Sequence, residues 1–391
     1  MRLLLLSNLY PPDVLGGYEL LARDVTDHLR ARGHDVHVLT SGPARSDDPS
    51  YVHRSLELAS PFDQPASLDR LRHARMARQH RDASRSVAKL GFDGAVVMSL
   101  RRLGFHAVRP LQEAGLRPVY CFNDDWLLSL RPYEAASPAV RLAWRMLERG
   151  PLASRTWSDI RIDHAVYVSR SIRDALVNAG APVPPGVVCF QGVDRKLFWK
   201  RPATPTASPL KLLYAGRIHP TKGCDIAIRA LGRLARAGFA ATLTLAGTGS
   251  AEELDRLRGV ARDEQVEALV TFAGFVERTK LGDVYRAHDV FLFPSIWEEP
   301  AGLTYLEAMA CGVPVVALAR GGAKELLVDR DNCRVVDGDE TMASAIRELA
   351  GDTALVERIV DGGVRTVERR ASLDRYVETI ENAVIQARKA A

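Results

Sequence analysis

Short apolar runs alternate with helical stretches along most of this chain, and that alternation constrains the fold more than any other feature. The apolar run Asp289 to Pro294 is followed by a loop, a helix and a second run, Val313 to Ala319. Strand, loop, helix, strand is half of a parallel α/β unit. Further strands are expected at Arg2 to Ser7, Asp35 to Thr40, Gly94 to Ser99, Pro118 to Phe122, His164 to Val168 and Gly186 to Phe190. Others begin near Lys211, Thr242, Val270, Val290 and Val315. Helices fall between them, the clearest from Glu19 to Ala31, which Gly33 ends. A chain of 391 residues exceeds one compact core and suits two domains. The stretch Lys200 to Pro209, with Pro202, Pro205 and Pro209 among small polar residues, marks a stiff linker. The expected division is therefore 1–200 and 201–372, followed by a last helix from about Leu373 to Ala387.

Two loops at strand ends carry the chemistry. The strand Leu212 to Ala215 opens into Gly216-Arg217-Ile218-His219-Pro220-Thr221-Lys222-Gly223, and a helix runs on from Cys224 to about Ala237. Arg217 and Lys222 thus lie where open α/β sheets bind ligands. Two fixed cations there suit a diphosphate. The second loop is Trp297-Glu298-Glu299-Pro300-Ala301-Gly302-Leu303-Thr304. It is expected to enter a helix at Gly302 that runs to Ala310, with Gly312 just past its end. A helix start offers unpaired N–H groups to an anion. Glu299 stands just outside that start, and Glu307 more than one turn inside it. Gly16 and Gly17 follow the first strand and allow close backbone approach to a ligand, or serve as a plain tight turn.

Together these motifs resemble the retaining glycosyltransferases of family four, which have the GT-B architecture. The family has Gly-Arg, four residues, then Lys-Gly, as in Gly216-Arg217 and Lys222-Gly223. It has two glutamates separated by seven residues, as Glu299 and Glu307 are. Gly192-Val193-Asp194 and Gly247-Thr248-Gly249 extend the resemblance over nearly the whole chain. It implies two doubly wound Rossmann-like α/β domains facing each other across a cleft, the first for acceptor and the second for nucleotide-sugar, with the last helix crossing back to the first. It implies that Arg217 and Lys222 stabilise the diphosphate leaving group, helped by the backbone at Gly302, Leu303 and Thr304 and by Gly16 and Gly17. Glu307 would hold the ribose hydroxyls. Glu299 would face the donor sugar or hold the loop amides, with Glu298 its closest rival. Val276 and Thr248-Gly249 would frame the base through backbone groups, and uracil is favoured as the base.

One departure stands out. Family members often carry His-Asp after a strand of the first domain, whereas this chain has Asn123-Asp124-Asp125. Asn hydrogen-bonds but does not titrate near neutrality, so a general-base role at Asn123 is in doubt. The resemblance implies no bound metal and no cofactor, and the ten histidines form no spaced ligand cluster. The acceptor stays open: an envelope lipid or glycan, or a small natural product. A pseudo-glycosyltransferase that couples a nucleotide-linked cyclitol, and a catalytically silent nucleotide-sugar sensor, are the alternatives.

Charge and cysteines limit the partners. The first 200 residues hold 28 Lys+Arg against 21 Asp+Glu, and the remainder 25 against 27. Much of the excess lies in Arg70, Arg72, Arg75, Arg78, Arg81, Arg85 and Lys89. Such a helix suits an anionic membrane surface or an acidic acceptor. Its apolar residues Leu68, Leu71, Met76 and Val87 make no wide stripe, so a merely solvated helix is the better account of it. No nucleic-acid motif accompanies the charge. Five widely spaced cysteines, without a Cys-x-x-Cys pair, fit reduced cytosolic thiols. The run Leu3 to Leu6 is too short for a signal peptide and fits a buried first strand. A cytoplasmic protein is expected, with peripheral membrane contact through the basic half left open.

Overall fold

A computed structural model describes residues 1–14, 16–60, 70–130, 157, 160–202 and 208–390. They form two compact units, one of Met1–Phe190 with Tyr376–Ala391, the other of Gln191–Arg375. The strands of the first unit are β1 Arg2–Leu6, β2 Asp35–Ser41, β3 Val52–Leu56, β4 Gly94–Val97, β5 Val119–Phe122, β6 His164–Tyr167 and β7 Val187–Val188. They form one sheet in the order β3-β2-β1-β4-β5-β6-β7. The second unit has β8 Leu210–Ala215, β9 Ala241–Ala246, β10 Val270–Gly274, β11 Val290–Phe293, β12 Val315–Ala317 and β13 Arg334–Val335, in the order β10-β9-β8-β11-β12-β13. Every described pairing in both sheets is parallel. Both units are therefore doubly wound. Strand order reverses between β1 and β4 in the first and between β8 and β11 in the second, and such switch points are where ligands bind.

The leucine run of β1 is explained by position. Leu3, Leu4, Leu5 and Leu6 are at most 1% exposed, since a central parallel strand is covered on both faces. Each such burial stabilises by about 1.5–3 kcal/mol. In the second unit Leu212, Leu243, Leu245 and Leu292 of the sheet form one core with Ala227, Ile228 and Leu231 of the helix Cys224–Arg236.

Two strands were not expected from the sequence. β3 reads Val-His-Arg-Ser-Leu, and its Arg54 breaks the apolar pattern. The Arg54 side chain is nonetheless wholly buried, paired with Asp48 at 2.9 Å and Asp13 at 3.3 Å. It also donates to the carbonyls of Tyr10 and Pro11. β13 is a two-residue edge strand, too short to leave a pattern.

The basic helix spans Arg70–Ala88 and has a buried stripe after all: Met76, Ala77, His80, Ser84 and Val87. Two of these five positions are polar, which hides the stripe from an apolar count. His80 Nε2 lies 3.0 Å from the Glu57 amide nitrogen, and Ser84 Oγ donates to the Ala107 carbonyl at 2.7 Å. Burial pushes the His80 imidazole down to about 4. Leu68 and the side chains of Arg70, Leu71 and Arg72 lie outside the described residues.

The last helix, Leu373–Lys389, supplies Tyr376, Val377, Ile380 and Val384 as buried residues. Its Glu381 accepts from Arg32 at 2.6 Å and His34 at 2.8 Å, and Arg388 pairs with Asp93 at 3.1 Å. Within the second unit, Val193 bridges to Ser372, and the Val193 amide donates to Ala371 O at 2.9 Å. The Gly192-Val193-Asp194 motif is thus where two distant chain segments pair. The proline-rich stretch falls partly outside the described residues, at 203–207. Just before it, the Arg201 guanidinium donates to the carbonyls of Arg286 and His288, and its amide to Cys311 O, which ties residue 201 to the second unit. No helix among the described residues is long and apolar enough to cross a membrane.

Candidate functional site

The two motif loops of the second unit leave neighbouring strands on either side of its switch point. Gly216 and Arg217 follow β8, and Ser295 to Glu299 follow β11. Their backbones are stitched together: the amides of Ile296 and Trp297 donate to Thr221 O at 3.0 and 3.2 Å. Gly223 permits this closeness. Its φ is +66°, and a Cβ there would lie 2.1 Å from Pro294 O.

Stitching brings Lys222 and Glu299 into direct contact. Lys222 Nζ donates to Glu299 Oε1. Ser295 Oγ donates to the same oxygen at 2.7 Å. The pair is largely withdrawn from water, with side-chain exposures of 20% for Lys222 and 8% for Glu299. The ammonium also lies 5.3 Å from the Trp297 ring centre, within cation–π range. Glu298 does something different. It is exposed, and its Oε2 accepts from the Gly321 amide at 2.8 Å, so it pins one loop to another. Arg217 is exposed, and its guanidinium makes no ion pair with the described residues. Its carbonyl accepts from Tyr214 OH at 2.7 Å, which fixes the loop but leaves the cation available. His219 is explained structurally: Nδ1 accepts from the Thr221 amide at 3.3 Å and caps the turn Pro220–Lys222.

The helix after Glu299 differs from expectation. It spans Thr304–Ala310 rather than starting at Gly302. Gly302 has φ +83°, in the left-handed region, so it breaks the chain direction before the helix and Leu303 becomes the N-cap. Glu307 consequently lies in the first turn, not beyond it. It is 7% exposed, and its Oε2 accepts from Tyr285 OH at 2.9 Å. Tyr285 comes from the helix Arg278–Arg286 and is fully buried. Burial and the nearby Glu307 charge push its hydroxyl well above the usual phenol range, so it stays a donor.

The remaining loops border the same sheet end. Thr248 O accepts from the Ile218 amide at 2.8 Å, and a Cβ on Gly249 would lie 2.5 Å from Ile218 O. Val276 is partly exposed beside Phe275, which is 76% exposed.

Gly16, Gly17 and Asn123 belong to the first unit. Gly16 is the N-cap of the helix Gly17–Ala31, with its amide donating to Glu19 Oε2 at 3.0 Å. Its backbone is extended and a Cβ would meet nothing within 4 Å, so neither the turn nor packing requires glycine there. Asn123 is 3% exposed at the end of β5, and its Oδ1 accepts from Tyr376 OH at 2.8 Å. Asp124 and Asp125 hold Arg101 at 3.2 and 2.8 Å, and Asp124 also accepts from the Trp126 amide at 2.8 Å. Burial raises the Asp124 carboxyl above its ordinary range. Among the described residues no group of three His, Cys, Asp or Glu side chains has metal-holding geometry.

Three side chains that build the site carry no motif: Ser295, Tyr285 and Tyr214. Ser295 adjoins the glutamate motif and is the one whose position hinted at it. The tyrosines are read only from the fold, since Tyr285 approaches from another helix.

The glycosyltransferase family 4 model matches residues 15–197, and the model for glycosyl transferases group 1 matches residues 209–352. The chain belongs to family four of the glycosyltransferases. Its architecture is GT-B, with two parallel-sheet α/β domains. Glycogen synthase of Mycobacterium tuberculosis is 28% identical over 421 aligned residues, covering 100% of this chain and 95% of that protein. D-inositol 3-phosphate glycosyltransferase of Xylanimonas cellulosilytica is 34% identical over 53% of this chain and 51% of its own length. Among solved structures, sucrose-phosphate synthase of Thermosynechococcus elongatus aligns over 100% of both chains with a TM-score of 0.75 and 20% identity. Alr3699/HepE of Anabaena, in complex with UDP and glucose, aligns over 100% of both with a TM-score of 0.71 and 21% identity. This family-four glycosyltransferase therefore places the Gly-Arg…Lys-Gly loop and the two-glutamate loop on adjacent strands of one domain.

Proposed function

We propose that this enzyme transfers a glycosyl group from a nucleoside-diphosphate sugar, UDP favoured, to an acceptor hydroxyl with retention of configuration and without a metal. The observation that carries this reading is the Lys222–Glu299–Ser295 cluster beside an exposed Arg217, all at the switch point of β8 and β11. The bond from the anomeric carbon to the diphosphate oxygen breaks, and the diphosphate keeps the electron pair. Arg217 and Lys222 stabilise the charge that builds there. The acceptor oxygen bonds to the anomeric carbon from the face the diphosphate leaves, and its proton passes to a phosphate oxygen. Glu299 holds Lys222 in place and faces the sugar, while Glu307 accepts from the ribose hydroxyls. UDP leads the donor panel because UDP is bound in the Anabaena neighbour. The test is a screen of nucleotide sugars and acceptors read by mass spectrometry. Product carrying the transferred sugar in its original anomeric configuration supports the reading, and an inverted product overturns it.

Two further outcomes follow from this site. Glu299→Gln removes the carboxylate charge that partly offsets Lys222. Turnover should fall at least about tenfold, the scale of one lost hydrogen bond to a charged group. UDP affinity should hold or rise, because Lys222 then faces the diphosphate uncompensated. Initial rates and UDP calorimetry on the same preparation decide it, and equal losses in both would refute the division of roles. Activity should also persist in excess chelator. Complete loss that magnesium or manganese alone restores would show that carboxylates such as Asp124 and Asp125 take a catalytic ion.

A further inference from the structure

We infer that Trp297 is a positioning residue for the transfer and acts through Lys222: its ring fixes where the ammonium points. The inference rests on the proposed glycosyl transfer, in which Lys222 meets the diphosphate, and adds the side chain that aims it. Burial alone gives little reason for so large a ring at this position. Tryptophans are on average highly buried, whereas Trp297 is 43% exposed. What the ring does have is a cation. The Lys222 ammonium lies over it, 5.3 Å from its centre. An indole is the strongest aromatic partner a cation can find among the side chains.

The backbone around Trp297 holds the ring in place. Its amide donates to Thr221 O at 3.2 Å, one residue before Lys222, and its carbonyl accepts from the Glu299 amide at 2.8 Å. Trp297 is thus tied on one side to the lysine loop and on the other to the glutamate that Lys222 meets. The next residue, Glu298, accepts from the Gly321 amide at 2.8 Å, and Glu299 O accepts from the Gly322 amide at 2.6 Å. Gly321 has φ +56°, and a Cβ there would lie 2.5 Å from Glu299 O. The loop after β12 therefore closes on the loop after β11, and the short segment that carries Trp297 is held at both ends.

A lysine needs such help. Its ammonium is a point charge on a flexible four-carbon stem, unlike the planar guanidinium of Arg217. It has three N–H donors. Glu299 takes one, and the ring takes up a second direction, which leaves the third for a diphosphate oxygen. Donors aimed in advance count for more, because nothing reorganises as charge develops on the leaving group. Without the ring the ammonium keeps Glu299 but swivels about that contact. The charge stays and its aim is lost.

The experiment is a double-mutant cycle between Trp297 and Lys222, read by calorimetry with UDP, with ADP and GDP alongside. Trp297→Leu should weaken binding of the preferred diphosphate about 5- to 30-fold, the scale of a largely desolvated cation–π contact. Trp297→Phe and Trp297→Tyr keep a ring face and should stay within about threefold of the parent. In a Lys222→Ala background Trp297→Leu should cost nothing further, because the ammonium it aims is gone. Melting temperatures report the fold, and Trp297→Met serves as the ringless variant if Trp297→Leu melts well below the parent. The inference is overturned if the ringless variant binds as the parent does, or if Trp297→Phe loses as much as Trp297→Leu. It is also overturned if the full loss persists in the Lys222→Ala background, since the ring then touches the ligand itself. A parent protein that binds none of the three diphosphates is a separate result: it overturns the donor site, and the positioning role with it.

Discussion

The Arg217→Ala and Lys222→Ala enzymes are expected to turn over about 10²–10³-fold more slowly than the parent, the usual scale for losing one stabiliser of transition-state charge. The two variants separate in stability. Arg217 is exposed and makes no ion pair with described residues, so its removal leaves the melting temperature close to the parent's. Lys222 is paired with a Glu299 side chain that is only 8% exposed. Removing it leaves that carboxylate with Ser295 alone, and stranding one partner of a wholly buried pair costs about 3–5 kcal/mol. The cost here is smaller, because Lys222 is 20% exposed and water replaces it in part. Lys222→Ala should therefore melt lower than Arg217→Ala, and Lys222→Ala combined with Glu299→Ala should regain stability but not turnover. Steady-state rates and thermal melts on the three variants test this. Near-parental turnover in either single variant would remove that residue from the leaving-group site.

Glu307→Ala is expected to weaken UDP binding roughly 10- to 150-fold, which is the 1.5–3 kcal/mol of hydrogen bonds to a charged group expressed as affinity. Glu307→Gln keeps one acceptor oxygen and should fall between the two. The structure adds an internal control. Tyr285 donates to Glu307 Oε2 at 2.9 Å from the protein side. Tyr285→Phe leaves the carboxylate in place but frees its orientation, so it should cost less UDP affinity than Glu307→Ala. Calorimetry with UDP and with UMP on the three variants reads this directly. If Glu307→Ala binds UDP as the parent does, the ribose contact lies elsewhere.

What the sequence reveals depends on which kind of constraint fixes a residue. Both sheets are legible because central strands are buried on both faces and must be apolar throughout, as Leu3 to Leu6 show. β3 is not, because Arg54 satisfies its charge through Asp13 and Asp48, residues from other loops. The stripe of the basic helix is hidden for the same reason, since His80 Nε2 and Ser84 Oγ pair with backbone groups outside the helix. Arg217, Lys222, Glu299 and Glu307 stand out as spaced motifs on strand-end loops. The direct contact between Lys222 and Glu299, 77 residues apart, is invisible, because it requires β8 and β11 to be neighbours. Gly302 illustrates a local error. Glycine is compatible with a first helical turn, and only its positive φ shows that the helix waits until Thr304.

The first unit is assembled from the two ends of the chain, residues up to Phe190 and then Tyr376 onward. That has a consequence for the order of events on the ribosome. Multidomain chains generally fold from the N-terminus as they emerge. Here the segment from Gln191 to Arg375 must be made before the earlier unit receives Tyr376, Ile380 and Val384, all buried in the finished protein. The nascent first unit waits with an uncovered apolar surface and with Asn123 Oδ1 lacking the Tyr376 donor. The later-made unit, being continuous in sequence, is free to complete its fold first. A chain stopped shortly after Arg375 would thus deliver an intact second unit and an unfinished first one, with the damage appearing far from the cut.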